Sequence, residues 1–368
     1  MQLTLDETTM TGQVSYPLTE DGLIEFDLAA DSINVDAYMA PADEAAVEEE
    51  AASGDIEIPV DMIRALQARG KVTLQRATLA NMLFENLELG VDSVNGKLRL
   101  HPVAADLFEG TYRGDVRIDA STDVPSISVN EKVEGVSLTP LVRSMFEQDN
   151  VSGTIAGSFE LSGRGRNLDE IRSDLDGNMA FQLADGAWEG TDVWHQLRSA
   201  RALLKRESPP EARNPPRTEF SSVIATGTVT DGVFRNDDLL AELPFLQLTG
   251  QGTVDLVKAE VNYNQQARVL ERPEFVGAAS QAELDDFTQA VIPLRISGAL
   301  ASPSIRPDID GMLKAEAQRV VEEKRKELEG RLMDKLLGTD KKREEGAEEE
   351  QAEKEESIED RLKRLFDN

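Results

Sequence analysis

The residues of this chain with chemistry to offer are a glycine pair, two histidines, a few close aspartates, an arginine–glycine cluster and two tryptophans. Gly250 and Gly252, in "LTGQGTVDLVKAEVNY" (248–263), have the spacing of a phosphate loop. Such a loop needs a strand before the glycines and a helix directly after them, because the helix N-terminus supplies the N–H groups and the dipole that hold the anion. Here Leu246, Leu248, Gly250, Gly252, Val254 and Leu256 share one parity, and Gln247, Thr249, Gln251, Thr253 and Asp255 the other. That is the alternation of a half-buried strand, so the glycines read as strand residues. His101 precedes Pro102 in an alternating run, and His195 lies beside Trp194 in a helical one. With no cysteine in the chain and no H-x-x-x-H spacing, both histidines read as structural or surface residues, not zinc ligands. Asp237-Asp238 and Asp308 with Asp310 suit turns or helix caps better than a metal site. "GRGR" (163–166) has the groups to meet a phosphate but reads as a solvated loop, and Trp188 and Trp194 as core aromatics. No pair of carboxylates is singled out for acid–base work. The expectation is a non-enzymatic protein with no catalytic residue, no metal and no cofactor.

Composition narrows the partners. Of 368 residues 40% are hydrophobic, enough for a sizeable core, while 5% are aromatic, so the apolar surface is mostly Leu, Val, Ile and Ala. A formal net charge of −31, from 39 Lys+Arg against 70 Asp+Glu, argues against nucleic acid, which needs cations for phosphates and aromatic faces for bases. Much of the acidity is local, in 43–55 and 343–356, and reads as solvated segments. No apolar run reaches the ~18–20 residues that cross a bilayer. After Met1 the sequence "QLTLDETTMTGQVSYPL" already alternates, as if the chain enters mid-sheet. It reads as a fragment or a gene model begun late, whose missing N-terminal part carries an export or anchoring segment.

The elements that must position these residues are mostly strands. Alternating runs recur at 70–79, 95–120, 153–165, 177–190, 227–237 and 292–308, broken by Gly, Asn or Asp. Asn95-Gly96, Asp185-Gly186 and Asp231-Gly232 are hairpin dipeptides, since both residues accept a positive φ, so the strands read as antiparallel and sequential. Short helices are expected at 60–69, 138–148, 167–175 and 191–206. The division is a β body over 1–308 with an acidic loop at 42–55, a long amphipathic helix over 309–337, an acidic disordered linker over 338–356 and a short amphipathic segment over 357–368. In that last segment Ile358, Leu362, Leu365 and Phe366 form a candidate docking tail. A sheet of ~20 strands with one apolar face must be covered by a second sheet or curl into a trough, and the pattern alone admits both.

"GVFRNDDLLAELPFLQLTGQGTVDLVKAEVNY" followed by "IPLRISGALASPSIRPDIDGMLKAEAQ" resembles the C-terminal region of the AsmA family of bacterial envelope proteins. "FELSGRGRNLDEIRSDLDGNMAFQLADGAWEGTDV" (159–193) and "NGKLRLHPVAADLFEGTYRGDVRIDA" (95–120) resemble the blocks before it, in family order. The resemblance spans most of 70–325, and its motifs are structural. It implies a mainly β fold, an elongated curled antiparallel sheet or repeating β-groove, related to TamB-like and chorein-type bridge proteins. It implies phospholipids as cargo, carried between inner and outer membranes in support of outer-membrane integrity. It also implies a periplasmic body anchored to the inner membrane by an N-terminal helix that this chain lacks. On that reading Leu246, Leu248, Val254, Leu256, Leu98 and Leu100 line the lipid groove, and outer-membrane or other envelope proteins are further partners. The competing function is a periplasmic assembly factor or chaperone that holds outer-membrane proteins on exposed strand edges.

Overall fold

The computed structural model describes residues 2–5, 8–16, 22–39, 57–208, 210–270, 291–308, 311, 321–322, 324–326 and 328–331. The chain divides into two compact units, Met1–Ile309 and Asp310–Asn368. In the second, the described residues are helical, Val321 and Leu328 are exposed, and Glu322–Lys326 and Arg325–Glu329 form ion pairs at i,i+4 spacing. The acidic loop 42–55 and the tail residues Ile358, Leu362, Leu365 and Phe366 lie outside the described residues.

The first unit is one sheet of sixteen described strands in unbroken sequence order. They are β1 (Gln2–Leu5), β2 (Thr8–Ser15), β3 (Ile24–Asn34), β4 (Ala68–Leu79), β5 (Met82–Val94) and β6 (Lys97–Leu107). Then come β7 (Gly110–Asp119), β8 (Ser126–Ser137), β9 (Val151–Arg164), β10 (Asp176–Glu189) and β11 (Arg217–Thr230). The last are β12 (Val233–Leu243), β13 (Leu246–Asp255), β14 (Glu260–Val269), β15 (Val291–Ala299) and β16 (Ser304–Pro307). The helices are short: α1 (Asp36–Met39), α2 (Val60–Ala65), α3 (Leu138–Phe146), α4 (Leu168–Ser173) and α5 (Val193–Lys205). The architecture is therefore mainly β, an open sheet that curls, and it is not a pair of sandwiches.

Three expectations need correcting. β3 and β4 pair in parallel, Ile24 opposite Ala68 through Asn34 opposite Thr78, whereas every other neighbouring pair is antiparallel. Parallel neighbours need a long crossover, and residues 35–67 supply it. Asp185-Gly186 is no hairpin: β10 runs through it, Asp185 takes φ +48° and the pairing with β9 shifts register there, which is a bulge. The helix expected over 60–69 stops at Ala65, because Ala68 and Arg69 already pair with Ser93 and Asp92 of β5. Asn95-Gly96 and Asp231-Gly232 do form hairpin turns with all four φ positive.

The crossover returns along one end of the strands. Arg64 donates from Nε to Ala120 O (2.6 Å) and from Nη2 to Thr122 O (2.8 Å), and Ile58 N donates to Arg166 O (2.9 Å). Ser93 Oγ reaches Leu66 O at 3.1 Å. Residues 57–67 thus strap the ends of β5 to β9. Ile63, buried in the middle of α2, is the apolar anchor.

Candidate functional site

The register of the strands defines the candidate site. Through successive pairings Val14, Phe26, Gly70, Val91, Leu100, Val116 and Val129 lie opposite one another from β2 to β8. Leu161, Gly177, Val229, Phe234, Val254, Val261 and Gly298 continue the same row to β15. Every member is apolar or glycine. One residue along each strand, the neighbouring row reads Ser15, Glu25, Arg69, Asp92, Arg99, Arg117, Ser128, Ser162 and Asp176, all polar. Successive side chains of a strand point to opposite faces, so one face of the sheet is apolar over ~60 Å, thirteen strand spacings of ~4.8 Å.

The polar face is held by ion pairs. Arg69 meets Asp92 at 2.9 Å, and Asp115 takes both Arg99 (2.6 Å) and Arg117 (2.9 Å), with His101 Nδ1 at 3.6 Å. The Arg99 guanidinium, with Arg117 beside it, holds the Asp115 carboxyl well below the usual carboxylate range.

Burial of the apolar face is graded. Across β5 to β10 many of its side chains, among them Val91, Leu98, Leu100, Val116, Val129 and Phe181, are half-buried, while Ala105 and Leu107 at the end of β6 are buried beside Tyr112 and Phe84. From β12 to β16 they are buried: Phe234, Leu246, Leu248, Val261, Leu294 and Ile305. Helix α5 lies against both β11 and β16 and buries Val193, Trp194 and Leu197; the Trp194 ring meets Phe245 edge-on at 5.4 Å. Where β11 runs past β12 the buried parity is that of Thr218 and Phe220, with Glu219 and Ser221 exposed, and Thr218 Oγ1 accepts from Val193 N at 3.0 Å. A cavity of about 570 Å³ remains between the start of α5, residues 212–216 and the start of β16, lined by Asp192, His195, Arg213 and Ile305 among others.

The groove candidates fall on this face but not in one environment. Leu246 is 0% and Leu248 7% exposed, so protein covers both, while Val254, Leu98 and Leu100, and Leu256 just past β13, are half-buried. The glycine pair has a packing role. A Cβ on Gly252 would lie 2.5 Å from the Tyr263 ring, and one on Gly250 2.8 Å from Gln265 Cγ. Their bare backbone makes room for two β14 side chains that lean across β13. Burial, and Asp238 nearby, push the Tyr263 phenol up to about 12.

The other candidates serve structure. In "GRGR" the N–H groups of Arg164 and Arg166 donate to Asp174 and Glu170 carboxylates of the same chain (2.8 Å each), occupying the donors a phosphate would use. Asp238 accepts from the backbone and hydroxyl of Thr226 and from Asn236 Nδ2, holding the bulge between β11 and β12. His195 Nε2 is 3.3 Å from Ser199 Oγ. Among the described residues no three His, Asp or Glu side chains converge as metal ligands, and no helix is long and apolar enough to cross a membrane.

Residue-by-residue reading missed the polar groups on the apolar face. Glu131 lies between Gly114 of β7 and Phe159 of β9, with Val129 and Val133 on either side in β8. Tyr112 Oη donates to its Oε1 at 2.9 Å. Burial raises the Glu131 carboxyl above its ordinary value, and burial with the nearby Glu131 charge raises the Tyr112 phenol further. Asn236 and Gln265, 2% and 5% exposed, each keep a side-chain oxygen without a partner among the described residues. The available signal was Glu131 itself, a charge where the alternation calls for an apolar residue.

Comparison with known proteins agrees with this architecture. The AsmA family profile matches residues 26–239, more than half of the chain. Protein AsmA of Escherichia coli (strain K12) is 21% identical over 335 residues, covering 86% of this chain and 53% of the relative. The chain therefore spans about half the length of the curated relative it matches. No solved structure matches. A strand order without a break, an apolar face that keeps its register from β2 to β15 and a family profile covering β3 to β12 converge: the chain belongs to the AsmA family.

Proposed function

We propose that this chain is part of a non-enzymatic envelope protein that carries phospholipid along its apolar face between inner and outer membranes. Membership of the AsmA family supports a place in the envelope, with a periplasmic body anchored at the inner membrane in the longer protein. The observation that carries the reading is the row of apolar and glycine residues from Val14 to Gly298, half-open across β5 to β10.

The energetics favour such a surface. Exposing lipid chains to water costs about 0.8 kcal/mol per CH₂, so two chains of ~15 methylenes face a barrier on the order of 20 kcal/mol. An apolar face lowers it where the face stays half-open, as across β5 to β10.

Photo-crosslinkers placed in cells at Leu98, Leu100 and Val116 should capture phospholipid, and those at Arg99 and Arg117 should not. Capture of outer-membrane polypeptides at the apolar positions, without lipid, would favour the chaperone reading instead.

A further inference from the structure

We propose that Glu131 and Tyr112 form a station on the apolar face that takes the ammonium group of an amine-headed phospholipid. This rests on the phospholipid-carrying reading above and deepens it by naming the class of headgroup. Of the residues on the apolar parity of β6, β7, β8 and β9, Glu131 is the one that carries charge. A carboxylate at such a position loses hydration and gains it back only from a hydrogen-bond donor or a cation.

The surroundings are built around that carboxylate. Phe84 packs edge-on against the Tyr112 ring with centroids 5.7 Å apart. The ring's hydroxyl passes over Gly114, where a Cβ would stand 2.8 Å from Oη, and ends on Glu131 Oε1. One oxygen is thereby fixed and the side chain is aimed. Among the described residues no basic side chain forms an ion pair with Glu131, although Arg and Lys pairs are frequent on the opposite face. The residue is half-buried, so a ligand on the open part of the face can reach it.

Burial raises the carboxyl above its ordinary value, and an arriving cation would stabilise the ionised form. A primary ammonium is the lipid group that supplies both charge and N–H donors to a carboxylate oxygen. Phosphate-only or glycerol headgroups supply no such charge. Val129, Val133 and Phe159 around the carboxylate suit the lipid part of the same molecule better than a free, fully hydrated amine.

The test uses the full chain incubated with vesicles of equal phosphatidylethanolamine and phosphatidylglycerol, followed by mass spectrometry of the captured lipid. Wild type should enrich the amine lipid, and Glu131→Gln, which keeps an acceptor for Tyr112, should lower that enrichment about five- to tenfold at unchanged total lipid. As a check that does not touch the protein, N-acetylated phosphatidylethanolamine should lose its advantage with wild type. Equal capture of both lipids by wild type, or a ratio unmoved by both Glu131→Gln and N-acetylation, would overturn the station while leaving the transport reading standing. Capture of no lipid would remove both. Free phosphoethanolamine should compete poorly; displacement of the amine lipid at equal concentration would show a soluble amine to be the ligand and overturn the lipid assignment.

Discussion

Asn150 Nδ2 donates to the backbone oxygen of Ala301 at 3.4 Å, although the two residues lie 151 positions apart and belong to opposite ends of the strands. Asn150 precedes β9, and Ala301 is in the turn between β15 and β16. Neighbouring strands rotate by roughly 20–25°, so the seven steps from β9 to β16 accumulate roughly 150°. That rotation swings the far end of β16 over the near end of β9. The sheet closes corner to corner there, with α5 held in the corner, which explains why burial rises towards the C-terminal strands.

Closure can be read directly, because the chain has no cysteine of its own. Cysteines introduced at Asn150 and Ala301 should join in the monomer with a short bifunctional maleimide, visible as a faster-migrating band. A band that stays unshifted would mean the corner is open in solution.

The graded burial predicts unequal costs for the same change. Leu246→Ala, at a site with no exposure, should destabilise by about 2–5 kcal/mol, whereas Leu100→Ala on the half-open face should cost under about 1.5 kcal/mol. Urea denaturation followed by fluorescence or circular dichroism distinguishes the two. Similar losses at both sites would contradict the gradient.

Gly252→Ala should lower stability by about 1–3 kcal/mol, because the added methyl meets the Tyr263 ring and the backbone oxygen of Asn262. Alanine has a lower entropic cost than glycine in an unconstrained strand, so an unchanged or raised melting temperature would show that the close approach across β13 does not exist. A phosphate-loop role would leave stability alone and change anion binding.

Asp115 and Glu131 should shift the acid side of the stability curve in opposite directions. The Asp115 carboxyl is depressed by Arg99 and Arg117, so its contribution is present above the ordinary carboxylate pKa and is lost as pH falls through the folded value. Asp115→Asn should therefore cost stability at pH 7 and flatten the loss below about pH 4. Glu131 is raised by burial, so folding is penalised when it ionises, above its folded pKa. Glu131→Gln should stabilise at pH 7 relative to wild type, with the difference shrinking towards pH 4. Denaturation midpoints across pH 3–8 check both signs.

Much of this was legible because strand periodicity is local. The parity of Leu246 to Val254 and of Leu98 and Leu100 follows from spacing alone, as do the Asn95-Gly96 and Asp231-Gly232 turns. Asp185-Gly186 has the same local chemistry as those turns but lies between strands that pair on both sides, so tertiary pairing turned it into a bulge. The parallel β3–β4 pair was hidden because a crossover leaves no mark on either strand's alternation. Glu131 and Tyr112 stand 19 positions apart, on adjacent strands, and only the register of β7 against β8 shows that a phenol and a carboxylate share a face.

The rotation between strands also bears on movement along the face. A molecule that follows the row from one strand to the next advances ~4.8 Å and must turn by roughly 20–25° with it. Passage is then a screw motion with a pitch of roughly 70–85 Å, and sliding and spinning are a single coordinate. A cargo with two chains meets each strand in the same relative orientation only if it turns at that rate. A rigid or bulky cargo would drag against the threads where a flexible one would not.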